Sequence, residues 1–174
     1  RWYNGENVAV SDDIPMLRYK KFLFNPEKEL IARNAKDMVE LMKNDRNLGI
    51  KYLYSKRLIK WLEDCGNRRL AVETEEIVEK YFPLDQSAGV VAAIYILDSN
   101  QPFLLNSHHP SSTPEEIVQA FANNKAGPDD FKALVDGRLL LWLSNKDFPE
   151  LYEEISILTA GQSYSEGLAY GVLY

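Results

Sequence analysis

The chain has a single cysteine, Cys65, among its 174 residues, so no internal disulfide can form and a hydrophobic core must hold the fold. Histidine is as scarce: the only two are adjacent, His108 and His109, with no neighbouring cysteine to complete a recognisable metal set. The sequence has no Gly-rich phosphate loop, HExxH helix, nucleophile elbow or paired CxxC, so nothing in it calls for a cofactor. Its apolar runs all fall short of the roughly 18 residues that a membrane-spanning helix needs, and no signal-peptide core is visible. Excess positive charge is missing too. A net charge of −6 and a pI near 5.0 argue against general nucleic-acid binding, which rewards clustered Lys and Arg. What remains is 45% hydrophobic and 11% aromatic, enough to fill a core and too apolar for disorder.

The sequence that is present is written twice. Phe22-Leu23-Phe24-Asn25 returns as Phe103-Leu104-Leu105-Asn106 at an offset of 81, and Arg57-Leu58 with Trp61-Leu62 return at the same offset as Arg138-Leu139 with Trp142-Leu143. From Glu75-Glu76-Ile77 against Glu153-Glu154-Ile155 the copies run at offset 78 to the last residue. Self-similarity at a fixed period is the signature of a repeat architecture. The expected organisation is a lead segment at 1–16, one repeat at 17–96 and a second at 97–174. The lead segment places Asn4-Gly5 between β-favouring residues, which predicts a small hairpin covering the open face of the first repeat. Because the chain opens on Arg1, it reads as a piece of a longer protein, and its lone cysteine suits a cytoplasmic setting.

Each copy predicts a short β element followed by four or five helices. Asn34 and Thr113 are cap residues followed three positions later by an acid, Asp37 or Glu116, which marks a helix start. Ser55 and Asp136 predict a second start, opening a helix whose Leu58, Trp61 and Leu62 face inward. Gly89–Ile96 and its echo Gly167–Tyr174 are apolar nearly all round, which predicts burial for both. The expected fold is therefore mainly α with short β elements, two tandem helical repeats stacked end to end.

Charge separates the copies. Residues 17–96 carry fifteen Lys/Arg against twelve Asp/Glu, or +3, whereas 97–174 carry four against eleven, or −7. Lys51, Lys56, Arg57, Lys60, Arg68 and Arg69 cluster in the first copy only. Of these, Lys56, Lys60, Arg68 and Arg69, together with the His108-His109 loop, are the candidate partner-binding residues. Arg57 and Arg138 are kept in both copies near a helix start, where the dipole disfavours a cation. This predicts structural ion pairs, Arg57 with Glu75 or Glu76 and Arg138 with Glu153 or Glu154. Because the copies share scaffold residues while nearly every chemically able residue occurs once, the expected function is a non-catalytic protein-interaction or scaffold module with a protein partner, neither nucleic acid nor membrane. A ligand-binding regulatory domain or enzyme using the His108-His109 loop or the basic cluster, and a structural spacer, are the alternatives.

Overall fold

Phe22–Asn25 forms strand β1 and pairs antiparallel with Leu30–Ala32, strand β2, across a turn in which Glu29 takes a positive φ of 53°. The computed structural model describes residues 20–83, 85–105, 110–123, 127–162 and 165–174. Ten helices follow the hairpin among the described residues, so the chain is mainly helical. They are α1 (Ala35–Asn44), α2 (Arg46–Tyr54), α3 (Arg57–Asp64), α4 (Arg68–Tyr81), α5 (Gln86–Leu97), α6 (Pro114–Ala122), α7 (Pro128–Ala133), α8 (Arg138–Leu143), α9 (Pro149–Thr159) and α10 (Glu166–Leu173). The chain divides into two compact units, Arg1–Val90 and Val91–Tyr174, with the division falling inside α5. The predicted hairpin at 1–16 lies outside the described residues.

Local chemistry explains most helix starts. The Asn34 side chain accepts the Asp37 N–H at 2.8 Å and caps α1. At α6, Thr113 and Glu116 form a complete capping box: Thr113 Oγ1 accepts the Glu116 N–H at 3.2 Å, and Glu116 Oε1 accepts the Thr113 N–H at 3.0 Å. The starts predicted at Ser55 and Asp136 are corrected by one residue. Ser55 instead closes α2, and α3 is entered through Lys56, whose φ is 64°; α8 is entered through Gly137, whose φ is 103°. A left-handed residue turns the chain between the two helices and takes the cap position itself, while the Asp136 carboxylate, one residue further back, still accepts the Arg138 N–H at 3.1 Å.

The first core centres on aromatic rings. Phe22 meets Tyr52 and Trp61 edge-on at 5.1 and 5.7 Å, and the buried Tyr52 hydroxyl donates to the Phe24 carbonyl at 2.8 Å. The Trp61 indole N–H donates to the Lys20 carbonyl at 2.5 Å, tying α3 to the residue that leads into β1. The second unit shows the corresponding set. Phe103 and Trp142 meet edge-on at 5.6 Å, the Trp142 indole donates to the Gln101 carbonyl at 3.0 Å, and Phe103 exchanges backbone hydrogen bonds with Ser111. Around them pack Ile117, Phe121, Leu134, Leu139, Leu143 and Ile155.

Helix α5 is buried on nearly every side, as its sequence predicts. Its counterpart is not: Tyr170 is 46% and Tyr174 100% exposed, so the expectation of burial for Gly167–Tyr174 is corrected. Tyr170 meets Phe131 of α7 with ring centres 5.6 Å apart, a contact that covers only part of its ring.

Gly89 in α5 is required by close approach. A β-carbon there would collide with the Tyr54 hydroxyl and lie 3.1 Å from both Tyr54 Cζ and Tyr81 Cβ. That hydroxyl is buried and has no hydrogen-bond partner among the described residues, while part of the ring remains exposed. Gly89→Ala is expected to lower stability by roughly 1–3 kcal/mol in urea unfolding. In the Tyr54→Phe background that loss shrinks, and Tyr54→Phe alone is neutral or stabilising because it removes an orphaned buried hydroxyl.

Desolvation, assisted by the Asp85 carboxylate, pushes Tyr54 up from 10.0 to about 12. The unfolded chain therefore ionises this tyrosine before the folded one does, and its contribution to stability is complete below pH 10 and lost as pH rises through about 12. Stability measured across this window is expected to fall less steeply for Tyr54→Phe than for the parent chain.

Candidate functional site

An open cleft of about 620 Å³ lies in the first unit, between the start of β1 and the helices α3 and α4. Five cations line it: Lys20 and Lys21 from the segment before β1, and Lys56, Arg57 and Lys60 from the entry and first turn of α3. Its acids are Glu63, Asp64 and Glu75, and its apolar floor includes Phe22, Ile59 and Trp61. The Trp61 tie to the Lys20 carbonyl brings the two groups of cations together. Lys20 is fixed further by its N–H, which donates to the Cys65 sulfur at 3.2 Å.

The cations differ in how they are engaged. Lys56 pairs with Glu75 at 2.9 Å, and this contact, chiefly its hydrogen bond, raises the lysine pKa. Lys60 pairs with Asp64 one helical turn on at 3.2 Å. Both pairs stand in solvent, so each is weak, is screened by salt and yields to a competing anion. Lys20 and Lys21 form no ion pair among the described residues.

Arg57 corrects the predicted pairing. Its guanidinium lies over the rings of Tyr52 at 4.8 Å and Phe22 at 5.6 Å, and contacts neither Glu75 nor Glu76. A planar cation stacks well on an aromatic face, and Lys56 already occupies Glu75. Arg138 is likewise corrected. It is 7% exposed and bonds Asp136 through Nη2 at 2.8 Å and Nε at 2.9 Å, not Glu153 or Glu154, which are exposed on α9. The partner lies two residues away because the bend at Gly137 folds the Asp136 carboxylate back over the start of α8.

Of the other predicted binding residues, Arg69 bonds Glu73 at 2.9 Å along α4, and Arg68 is exposed outside the cleft. His108 and His109 lie outside the described residues. Cys65 is buried, and burial pushes its thiol pKa up, the opposite of what a nucleophile needs. Among the described residues no group of three His, Cys, Asp or Glu side chains is arranged to hold a metal ion, and no helix is long and apolar enough to cross a membrane.

Sequence reasoning missed Lys20, Lys21, Glu63 and Asp64. The lysines lie some forty positions from α3 in the chain, a separation that periodicity does not bridge. The arrangement can attract and hold an anionic group against an aromatic floor. It contains no buried, activated nucleophile or base. Comparison with family models, with curated proteins and with solved structures finds no match to the chain.

Lys56 is the most informative cation. It holds a left-handed conformation that costs a non-glycine residue roughly 1–2 kcal/mol, at the place where the second unit has Gly137. At this position Lys56→Gly is expected to be more stable than Lys56→Ala by about 1 kcal/mol in thermal or urea unfolding, since both lose the Glu75 contact and only glycine relieves the backbone.

Proposed function

We propose that the chain is a non-catalytic interaction module made of two tandem copies of one unit, in which the cleft of the first copy takes an acidic segment of a protein partner. One observation carries the reading: the two units keep the same tie, Trp61 to Lys20 and Trp142 to Gln101, while the four lysines beside it in the first have no cationic counterpart in the second. Lys20, Lys21, Lys56 and Lys60 correspond in the repeat to Gln101, Pro102, Gly137 and Leu141. A constant scaffold carrying a different surface in each copy is what recognition requires and what a spacer does not need.

The matched cap positions Asn34 and Thr113, the left-handed entries Lys56 and Gly137, and the backbone pairs Phe22–Ala32 and Phe103–Ser111 support the tandem reading. The left-handed backbone at Lys56 supports retention of the charge for use, since glycine would be the easier choice for folding alone. An extended acidic peptide fits the open shape better than a small molecule, which favours an enclosed pocket.

The test is fluorescence anisotropy with a labelled oligoglutamate peptide. Binding is expected to weaken steeply with salt, and Lys20→Gln with Lys60→Gln to weaken it by roughly tenfold, two rim charges each contributing about 0.7 kcal/mol. Binding unchanged by these substitutions, or no binding at low salt, sinks the reading. Preference for an oligonucleotide of equal charge through the same lysines overturns the protein-partner assignment.

A further inference from the structure

Among the described residues two apolar surfaces stay partly exposed, and they correspond to surfaces that cover each other within residues Val91–Tyr174. There, Tyr95 of α5 stacks on Phe103 with ring centres 6.0 Å apart, and its hydroxyl accepts the Leu104 N–H at 2.8 Å. Leu104 is partly buried against this core as a result. The repeat counterpart of the Phe103–Leu105 segment is β1, where Leu23 is 48% exposed, and Leu30 beside it on β2 is 39% exposed. A two-stranded sheet with apolar side chains on its outer face is marginal without something packed against it.

The other surface is α10, the counterpart of α5. Ala92 and Tyr95 of α5 are 0% and 1% exposed, whereas Tyr170 of α10 is 46% exposed and Leu173 only partly buried. Tyr170, Leu173 and Tyr174 stand at helical spacing on one side, and Gly167 on the same side has open space around it. Tyr170 rests on Phe131 with ring centres 5.6 Å apart and Leu173 touches the core, so the strip is anchored along one edge and its outer side stays exposed.

We infer that the chain associates head to tail, the Tyr170–Leu173–Tyr174 side of α10 in one copy packing on the Leu23 and Leu30 face of the hairpin in a second copy. This rests on the tandem-copy reading above, because that reading matches α10 to α5 and β1 to the segment that α5 covers. Charge selects the pairing. A head-to-tail contact sets a +3 region against a −7 region, whereas a symmetric contact through α10 sets −7 against −7. A heterologous contact of this kind leaves one unsatisfied surface at each end, so association runs on into short chains instead of stopping at a dimer.

Sedimentation velocity of the 174-residue chain tests this, at concentrations up to about 1 mM, where contacts too weak for a permanent complex are still populated. Mass is expected to rise with concentration beyond that of a dimer. Leu23→Lys and Tyr170→Lys should each be monomeric, with helical circular dichroism unchanged; Leu23→Ser and Tyr170→Ser replace them if a lysine variant does not fold. Mixing the two variants is the decisive arm. Each retains one intact surface, so the mixture should form a 1:1 dimer that goes no further. A parent chain that stays monomeric, association that survives both substitutions, or a mixture that remains monomeric overturns the inference. Because neither residue lines the basic cleft, the variants should keep oligoglutamate binding. A parent chain that stays monomeric and still binds the peptide sinks the association alone, and a parent chain that associates without binding the peptide sinks the cleft alone.

Discussion

The hydrogen bond from a buried indole to a backbone carbonyl forty-one residues earlier is the interaction on which the rest of each unit depends. Trp61 and Trp142 are 6% and 1% exposed, and a ring of that size contributes a large share of the core only if its N–H finds an acceptor inside. The acceptor in both units is a carbonyl just before the Phe that packs edge-on against the same tryptophan. One side chain thereby supplies apolar contact and fixes where an extended segment lies on a helix. In the first unit that register also places Lys20 and Lys21 beside Lys56 and Lys60, so the cleft is a by-product of the core.

On this frame the two units differ in how they spend their surface. Leu140 and Leu141 are partly buried against the second core at the positions where the first unit has Ile59 and Lys60. Arg57 and Arg138, alike in sequence, diverge in the same way: one stacks on Tyr52 and Phe22, the other is buried against Asp136. A guanidinium satisfies both settings because its flat face suits rings and its edge suits a carboxylate. The backbone strain at Lys56 belongs with this divergence, for it is borne only where the side chain is charged.

Much of the fold was legible, and the reasons are local. Asn34 and Thr113 announce helix starts because a capping side chain reaches only three residues ahead. Leu58, Trp61 and Leu62 announce an inward face because helical spacing is short-range. The errors arise where a non-local or conformational fact intervenes. Ser55 and Asp136 look like caps, yet a left-handed residue follows each and takes the capping place. The Arg57 pairing failed because Glu75, on another helix, is met first by Lys56. Of the cleft, Lys56 and Lys60 were visible as part of a charged cluster, whereas Lys20 and Lys21 were not.

By itself the sequence determined the helical class, the sites of most helix starts, the doubled pattern of apolar residues and the opposite charge of its two halves, since each of these depends on residue type and short spacing alone. Only the tertiary structure decided which carbonyl receives each tryptophan, what each arginine meets, which lysines share a cleft and how much of α10 stays exposed. Those outcomes depend on distances between segments far apart in the chain, and a backbone carbonyl, identical at every position, leaves no mark in the sequence to say that it will be chosen.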